Sequence, residues 1–412
     1  MKTRLLAALI SIWLIRPVPL HAQAGAPSPA ASLLIPYFEL GADACSGAST
    51  TNTTVRVTNF SAASQLAHVT FWTNAGVPTF AFDLSLIGYG TESFDVKEIF
   101  CGGKVPLTPE PSTVFPEPLT PSSLAHLRAW HSGEESPATK NCAGHPVPSG
   151  AAVGYITIDD VMRSGLGFPS DGDAYFSQAS FDNVLVGDAY FETFEPIEQL
   201  VEDPNAGTKL GTKNCKRKRG KKKERCRIYN KVVKSLPPPA PTFKKTEVLR
   251  SRGLNGIPAV HLKALGNLLG PVRTFYGRYV TNGSDRRSPL ASAYGVQYSQ
   301  VESENSYELL VWREGTGKAS PFACKSGQLT TLANQEIVVF DDFSNAQSIE
   351  AQGGNILFPR ETQLEAGVLS LLPFQSGWIY LNFQKNMNDP AQAWVIRRRD
   401  GLFDASGVAP VN

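Results

Sequence analysis

Between residues 33 and 100 the chain alternates apolar and other side chains in short bursts: Val55 and Val57 in VRVTN, Val69 and Phe71 in VTFWT, then Phe80, Phe82 and Leu84, then Phe94 and Val96. Turn residues such as Asn74-Ala75-Gly76 separate the bursts. A two-residue period with turns between is what half-buried antiparallel strands require, and it is incompatible with a helical bundle. Five or six such strands suffice for a small sandwich. Composition agrees: 35 Gly and 30 Pro among 412 residues, with 18% charged residues, suit strands and turns and exclude a coiled coil or a wholly disordered chain.

The stretch PLTPEPSTVFPEPLTP at 106–121 holds six prolines, which remove backbone donors, so 106–150 reads as a Pro-rich linker or loop. From residue 151 the strand grammar resumes in VGYITID, DAYFS, NVLVGDAYFETF, TFYGRYV, YELLVW, EIVVFDD, ILFP, LSLLPF, GWIYLNF and AWVIRR. IPAVHLKALGNLL at 257–269 fits either a short helix or a strand. The expected fold is all-β. It comprises a small antiparallel β-sandwich (Ig-like) at 33–105 and a larger one at 151–400, interrupted by a disordered basic insertion at 202–247.

Lys2 and Arg4, the apolar run from Leu5 to Ile15 and the triplet Ala22-Gln23-Ala24 have the three parts of a secretory signal peptide, so residues 1–24 are expected to be removed. That eleven-residue run is too short for a bilayer core of ~30 Å, and no membrane span is expected. The expected location is the periplasm or the cell exterior. In an oxidising compartment six cysteines favour disulfides. Cys215 and Cys226 are the nearest pair, and the remaining four allow three pairings, of which Cys45 with Cys101 and Cys142 with Cys324 are favoured.

Net charge conceals a segregation. Residues 213–234 hold twelve Lys or Arg and one Glu, a net +11, while the rest of the mature chain sums to −12. Lys216, Arg217, Lys218, Arg219, Lys221, Lys222, Lys223 and Arg225 lie between the two nearby cysteines, without an aromatic residue to stack on bases. The expected partner is a polyanionic envelope component rather than a specific nucleic acid.

Several of these stretches together resemble a family of exported bacterial proteins with no assigned activity. They are LLIPYFEL at 33–40, AHVTFWTNAGVPTFAFDLSLIGYG at 67–90, VGYITIDDV at 153–161, NVLVGDAYFE at 183–192, TFYGRYV at 274–280, ELLVWRE at 308–314 and QEIVVFDD at 335–342. The resemblance implies that AVHLKA at 259–264 is a strand and that the segment around Cys215 is an insertion.

Chemistry-bearing groups are sparse. His126, His131 and His145, with Cys142 nearby, are the densest metal-capable set, yet a tetrahedral zinc site needs converging ligands and this segment reads as loop. Asp171-Gly172-Asp173 starts like a calcium loop, but the glycine and glutamate positions of an EF-hand carry Phe176 and Asp182. The sequence calls for no cofactor; calcium and zinc are the ions its residue types could take. Adjacent carboxylates at Asp159-Asp160 and Asp341-Asp342 fall at strand ends and face opposite ways. G-x-S-x-G is absent, so no catalytic residue is expected. Trp72, Trp312, Trp378 and Trp394 fall in expected strands, where aromatic side chains fill a core or stack on a ligand. These features favour an exported, non-catalytic structural or binding protein. The alternative is a secreted metal-assisted hydrolase using the histidines.

Overall fold

The computed structural model describes residues 28–46, 51–74, 76–106, 118–134, 149–202, 243–266, 274–280, 284–299, 307–313, 336–348, 373–383 and 392–399, with shorter pieces among and beyond them. The chain divides into two compact units, one formed by Met1–Glu192 with Leu254–Asn412 and the other by Thr193–Gly253.

In the first unit, strands β1 (Ser32–Leu40), β2 (Thr51–Asn59), β3 (Gln65–Thr73), β4 (Pro78–Leu86) and β5 (Thr91–Asp95) follow the alternating bursts closely. Further along lie β6 (Thr113–Val114), β7 (Ala152–Val161) and β10 (Val260–Leu262), while β8 (Leu185–Glu202) and β9 (Phe243–Pro258) each have residues in both units. One sheet runs β10-β1-β7-β3-β4-β6 and a second runs β5-β2-β8-β9, with antiparallel pairing throughout the registered pairs. The fold is all-β, as the alternation requires. Val260–Leu262 is a strand, as the resemblance implies.

The expected boundary between residues 105 and 151 does not separate two sheets. β7 lies between β1 and β3, pairing Ile35 with Ile156 and Val69 with Ile158. The alternation specifies strands but not their neighbours, and β7 is buried along its whole length, so its sequence reads equally well in any sheet interior.

One face of the central sheet carries Phe71, Phe80 and Phe82, which pack with Phe94 of β5 and with Phe38 and Phe100 into an aromatic core. Helix α1 (Val96–Gly102) begins where the Asp95 side chain accepts the Glu98 N–H at 3.0 Å. It ends at Gly103, whose φ of 63° suits only a residue without a Cβ penalty.

The Pro-rich segment is not all loop. Helix α2 (Pro121–Ser132) starts at a capping box in which Thr120 accepts from the Ser123 N–H and Ser123 accepts from the Thr120 N–H, with Pro121 in the first turn. It buries Leu124, Leu127 and His131, at the i, i+3, i+7 spacing of one helix face. Two other expected strands are corrected. DAYFS contains helix α3 (Asp173–Phe176), closed by Phe176 N–H to Gly172 O and Ser177 N–H to Asp173 O, with Tyr175 and Phe176 buried. TFYGRYV forms successive turns closed by Gly277 N–H to Thr274 O and Tyr279 N–H to Tyr276 O. β9 begins inside the stretch expected to be disordered, at Phe243.

The disulfide Cys45–Cys101 joins the turn at Ala44–Ser46 to α1 across 56 residues, as favoured from the sequence, with Cα atoms 5.3 Å apart. Replacing both cysteines by serine is expected to lower stability by on the order of 3 kcal/mol by releasing a long loop in the unfolded chain. Equal urea midpoints for variant and wild type would show that the bond constrains nothing. Cys142, Cys215, Cys226 and Cys324 lie outside the described residues.

Farther along the same unit, the strand Ala293–Ser299 pairs with Ser376–Asn382, which pairs with Glu336–Asp341, while Tyr307–Arg313 pairs with Ala393–Arg399 in another sheet. Val296, Val339 and Ile379 of one sheet share a core with Leu309, Val311 and Val395 of the other, a sandwich arrangement. Trp72, Trp312 and Trp394 are buried, and Trp378 is 42% exposed.

Candidate functional site

The other face of the central sheet is polar. Alternation along β7 sends Tyr155, Thr157 and Asp159 to one side and Ile156, Ile158 and Asp160 to the other. Register then sets Trp72, Thr70 and His68 of β3 opposite Tyr155, Thr157 and Asp159, with Asp83 of β4 opposite His68 and Ser32 of β1 opposite Asp159. Eight neighbouring positions thus carry polar or amphipathic groups on a sheet buried on both faces.

Residues of α3, of 274–280 and of 284–288 close over this face. Arg287, fully buried, donates from Nη1 to Asp285 Oδ1 at 2.9 Å, from Nε to the Ser32 hydroxyl, and lies 3.3 Å from Asp159 Oδ1. Ser32 donates in turn to Asp159 Oδ1. The hydroxyls of Tyr175 and Tyr276 donate to Asp159 Oδ2 at 2.7 and 2.9 Å, so each oxygen of that carboxylate is occupied. Asp285 also accepts the N–H groups of Tyr276 and Arg287. The rings of Phe181, Tyr276 and Phe176 surround the guanidinium at 5.1 to 5.7 Å.

Burial alone would pull the Arg287 pKa down, but Asp159 and Asp285 more than offset it and hold the guanidinium charged. Burial, followed by the Asp159 charge, pushes both tyrosine hydroxyls well above their ordinary range. They are fixed donors here rather than proton-transfer groups. Beside them His68 Nδ1 meets Asp83 Oδ1 at 2.7 Å, and Asp83 Oδ2 accepts the Gly165 N–H at 2.9 Å.

Next to this network lies a small cleft walled by Trp72, Tyr155, Phe275, Tyr279 and Trp312, with Thr157 and Tyr276 shared between cleft and network. Trp72 stacks on Tyr155 at 5.4 Å and donates from Nε1 to Thr157 Oγ1 at 2.9 Å. Arg278 lies over the Tyr279 ring at 4.5 Å. The cleft's free volume of about 10 Å³ matches that of one water-sized sphere.

The sequence-derived candidates are distributed elsewhere. His126 and His131 sit on α2, not on a loop. The fully buried His131 ring lies with Nε2 2.7 Å from Thr79 Oγ1 and Nδ1 3.0 Å from Val153 O, and burial draws its pKa down to about 4. His145 lies outside the described residues. Asp171 accepts the Phe168 N–H within its own turn, and Asp173 accepts from the Ser284 hydroxyl, 111 residues away. Asp341 caps the Phe343 and Asn345 N–H groups, and Asp342 accepts from Ser376. Among the described residues no three His, Cys, Asp or Glu side chains are placed to share a metal ion. Arg219, Lys221, Lys222 and Arg225 are exposed, whereas Lys216, Arg217, Lys218 and Lys223 lie outside the described residues.

Sequence reasoning did not find Arg287. It stands in NGSDRRSP, a run that reads as a solvated turn, and its partners Asp159 and Ser32 are remote along the chain.

Fold and network together define an all-β protein of antiparallel sheets, pinned by the Cys45–Cys101 disulfide and by a buried arginine between two carboxylates. No family model, curated protein or solved structure matches the chain. Among the described residues no helix is long and apolar enough to cross a membrane.

Proposed function

We propose that the chain is an exported, non-catalytic structural or binding protein of the bacterial envelope that meets a polyanionic component through its basic segment. The observation that carries export is the Cys45–Cys101 disulfide, because such bonds persist in a non-reducing compartment and the N-terminal leader provides the route there. The partner class rests on exposure of Arg219, Lys221, Lys222 and Arg225 within a block of net +11. Charge at that density attracts polyanions by counterion release, without sequence or sugar specificity.

Heparin chromatography tests the partner class. Wild-type protein is expected to elute at clearly higher salt than a variant lacking residues 213–227, and co-elution of the two would end the proposal. The hydrolase alternative would need His131 at a metal, and its ring nitrogens are engaged by Thr79 and Val153 inside the core.

A further inference from the structure

Four of the large apolar side chains that this unit exposes gather at one end of its first sandwich. Phe60, Ile87, Tyr89 and Met162 are 55%, 69%, 72% and 64% exposed. They stand on the turn after β2, the turn between β4 and β5 and the turn after β7. Register brings these turns together, since Gln65 pairs with Leu86 and Leu66 pairs with Val161, leaving Ile87 and Met162 just beyond neighbouring strands.

The backbone beneath them is laced tightly. Buried Asn59 donates from Nδ2 to Ala63 O at 2.7 Å and Ile87 O at 3.1 Å, and its Oδ1 accepts the Ser61 N–H at 2.8 Å. Tyr89 N–H donates to Ser61 O at 2.9 Å, and a Cβ on Gly88 would stand 2.1 Å from Ala62 O. Met162 N–H donates to Gln178 O, and the Asp83 carboxylate holds Gly165 N–H. Tyr89 itself adopts a φ of 55°, a left-handed conformation that costs a non-glycine residue roughly 1 kcal/mol. Fixed turns and a strained tyrosine hold four apolar groups in water, where their burial would be favourable.

The charge pattern selects the occupant. Residues 60–64, 87–91 and 162–165 contain no acid and one cation, exposed Arg163, in a chain with 37 acidic residues. Asp182 and Glu92 are the flanking acids along the neighbouring segments. Separate projecting side chains need no matching concave surface if the partner is fluid. Phe, Ile and Met suit the acyl boundary, Tyr the headgroup level and Arg the phosphates.

From this geometry we infer that the turn tips bearing Phe60, Ile87, Tyr89 and Met162 insert into a phospholipid surface. This contact is separate from the basic segment and goes beyond the polyanion reading. The test is co-sedimentation of the full chain with vesicles of phosphatidylethanolamine and phosphatidylglycerol. Wild type and the variant lacking residues 213–227 are both expected to bind. Combining Phe60→Ser, Ile87→Ser, Tyr89→Asn and Met162→Ser should reduce partitioning at least about tenfold, with an unchanged melting temperature because the groups removed are exposed.

Failure of wild type to bind, equal binding by the combined variant, or loss of binding on deleting 213–227 alone would each overturn the inference. So would light scattering that showed a wild-type dimer turned monomeric by the four substitutions, which would assign the tips to a second copy of the chain. Should the combined variant melt early, Ile87→Trp supplies the decision: its fluorescence should shift to the blue on adding vesicles, and an unshifted spectrum refutes insertion.

Discussion

Arg287→Met is expected to destabilise the protein by roughly 3–5 kcal/mol, the cost of removing one partner from a buried ion pair. The methionine approximates the arginine stem, so the loss comes mainly from charge. Asp159 and Asp285 would be left buried with hydroxyl and backbone donors but no cation. Adding Asp159→Asn to that variant should recover part of the loss, since one uncompensated charge disappears. Tyr175→Phe removes a single donor from Asp159 and should cost about 1–2 kcal/mol. Urea unfolding of the four proteins checks this order. A loss below about 1 kcal/mol for Arg287→Met would show that the network is hydrated and relaxed.

The second large effect is a pair of opposed pH dependences. Burial, only partly countered by the Ser180 hydroxyl, raises the Asp160 pKa from 3.8 to about 7, and Asp182 adds to the rise. Folding therefore takes up a proton at Asp160 between pH 4 and 7. Its contribution to stability is full below pH 4 and declines by about 4 kcal/mol as pH rises to 7, at about 1.4 kcal/mol for each tenfold change in proton affinity. His131 acts in the other sense. Its imidazole stays neutral in the fold down to about pH 4, while the unfolded chain protonates below 6.5. Stability from this group falls by about 3 kcal/mol as pH drops from 6.5 to 4.

In wild type the two slopes largely cancel between pH 4 and 6.5. Asp160→Asn should expose the His131 slope, with stability rising as pH rises through that window. His131→Gln should expose the Asp160 slope, with stability falling over the same range. Denaturation midpoints measured from pH 4 to 8 decide the matter, and curves parallel to wild type for both variants would refute it.

How much could be read from the chain itself depended on the range of the signal. Val55 and Val57, or Val69 and Phe71, declare a strand within five residues, and all four lie in strands with their side chains buried. The Cys45–Cys101 pair was also within reach. The six prolines of 106–121 point to loop and mask helix α2, although Pro121 followed by Ser123 after Thr120 is a helix start written in the sequence. Tyr175-Phe176 and Phe275-Tyr276 look like strand aromatics, but both dipeptides fold over a polar face made by other segments. The polar face itself was illegible. His68, Asp83 and Asp159 come from three separate strands that only the strand order brings together, and Arg287 arrives from a segment folded over them.

That strand order bears on how the chain assembles in time. β1 lies between β7 and β10, and its Ser32 reaches Arg287 across 255 residues. A polypeptide synthesised from its N-terminus therefore leaves the Ser32–Leu34 edge of β1 unpaired until residues 260–262 have emerged, and its polar face stays uncovered until 284–288 follow. Contacts of such separation are slow to form, because loop-closure entropy is spent before the contacts repay it. During that interval Ser32 to Leu34 form an open strand edge of the kind that pairs with other chains. Completion of the first sheet is consequently gated by the arrival of the second half of the chain.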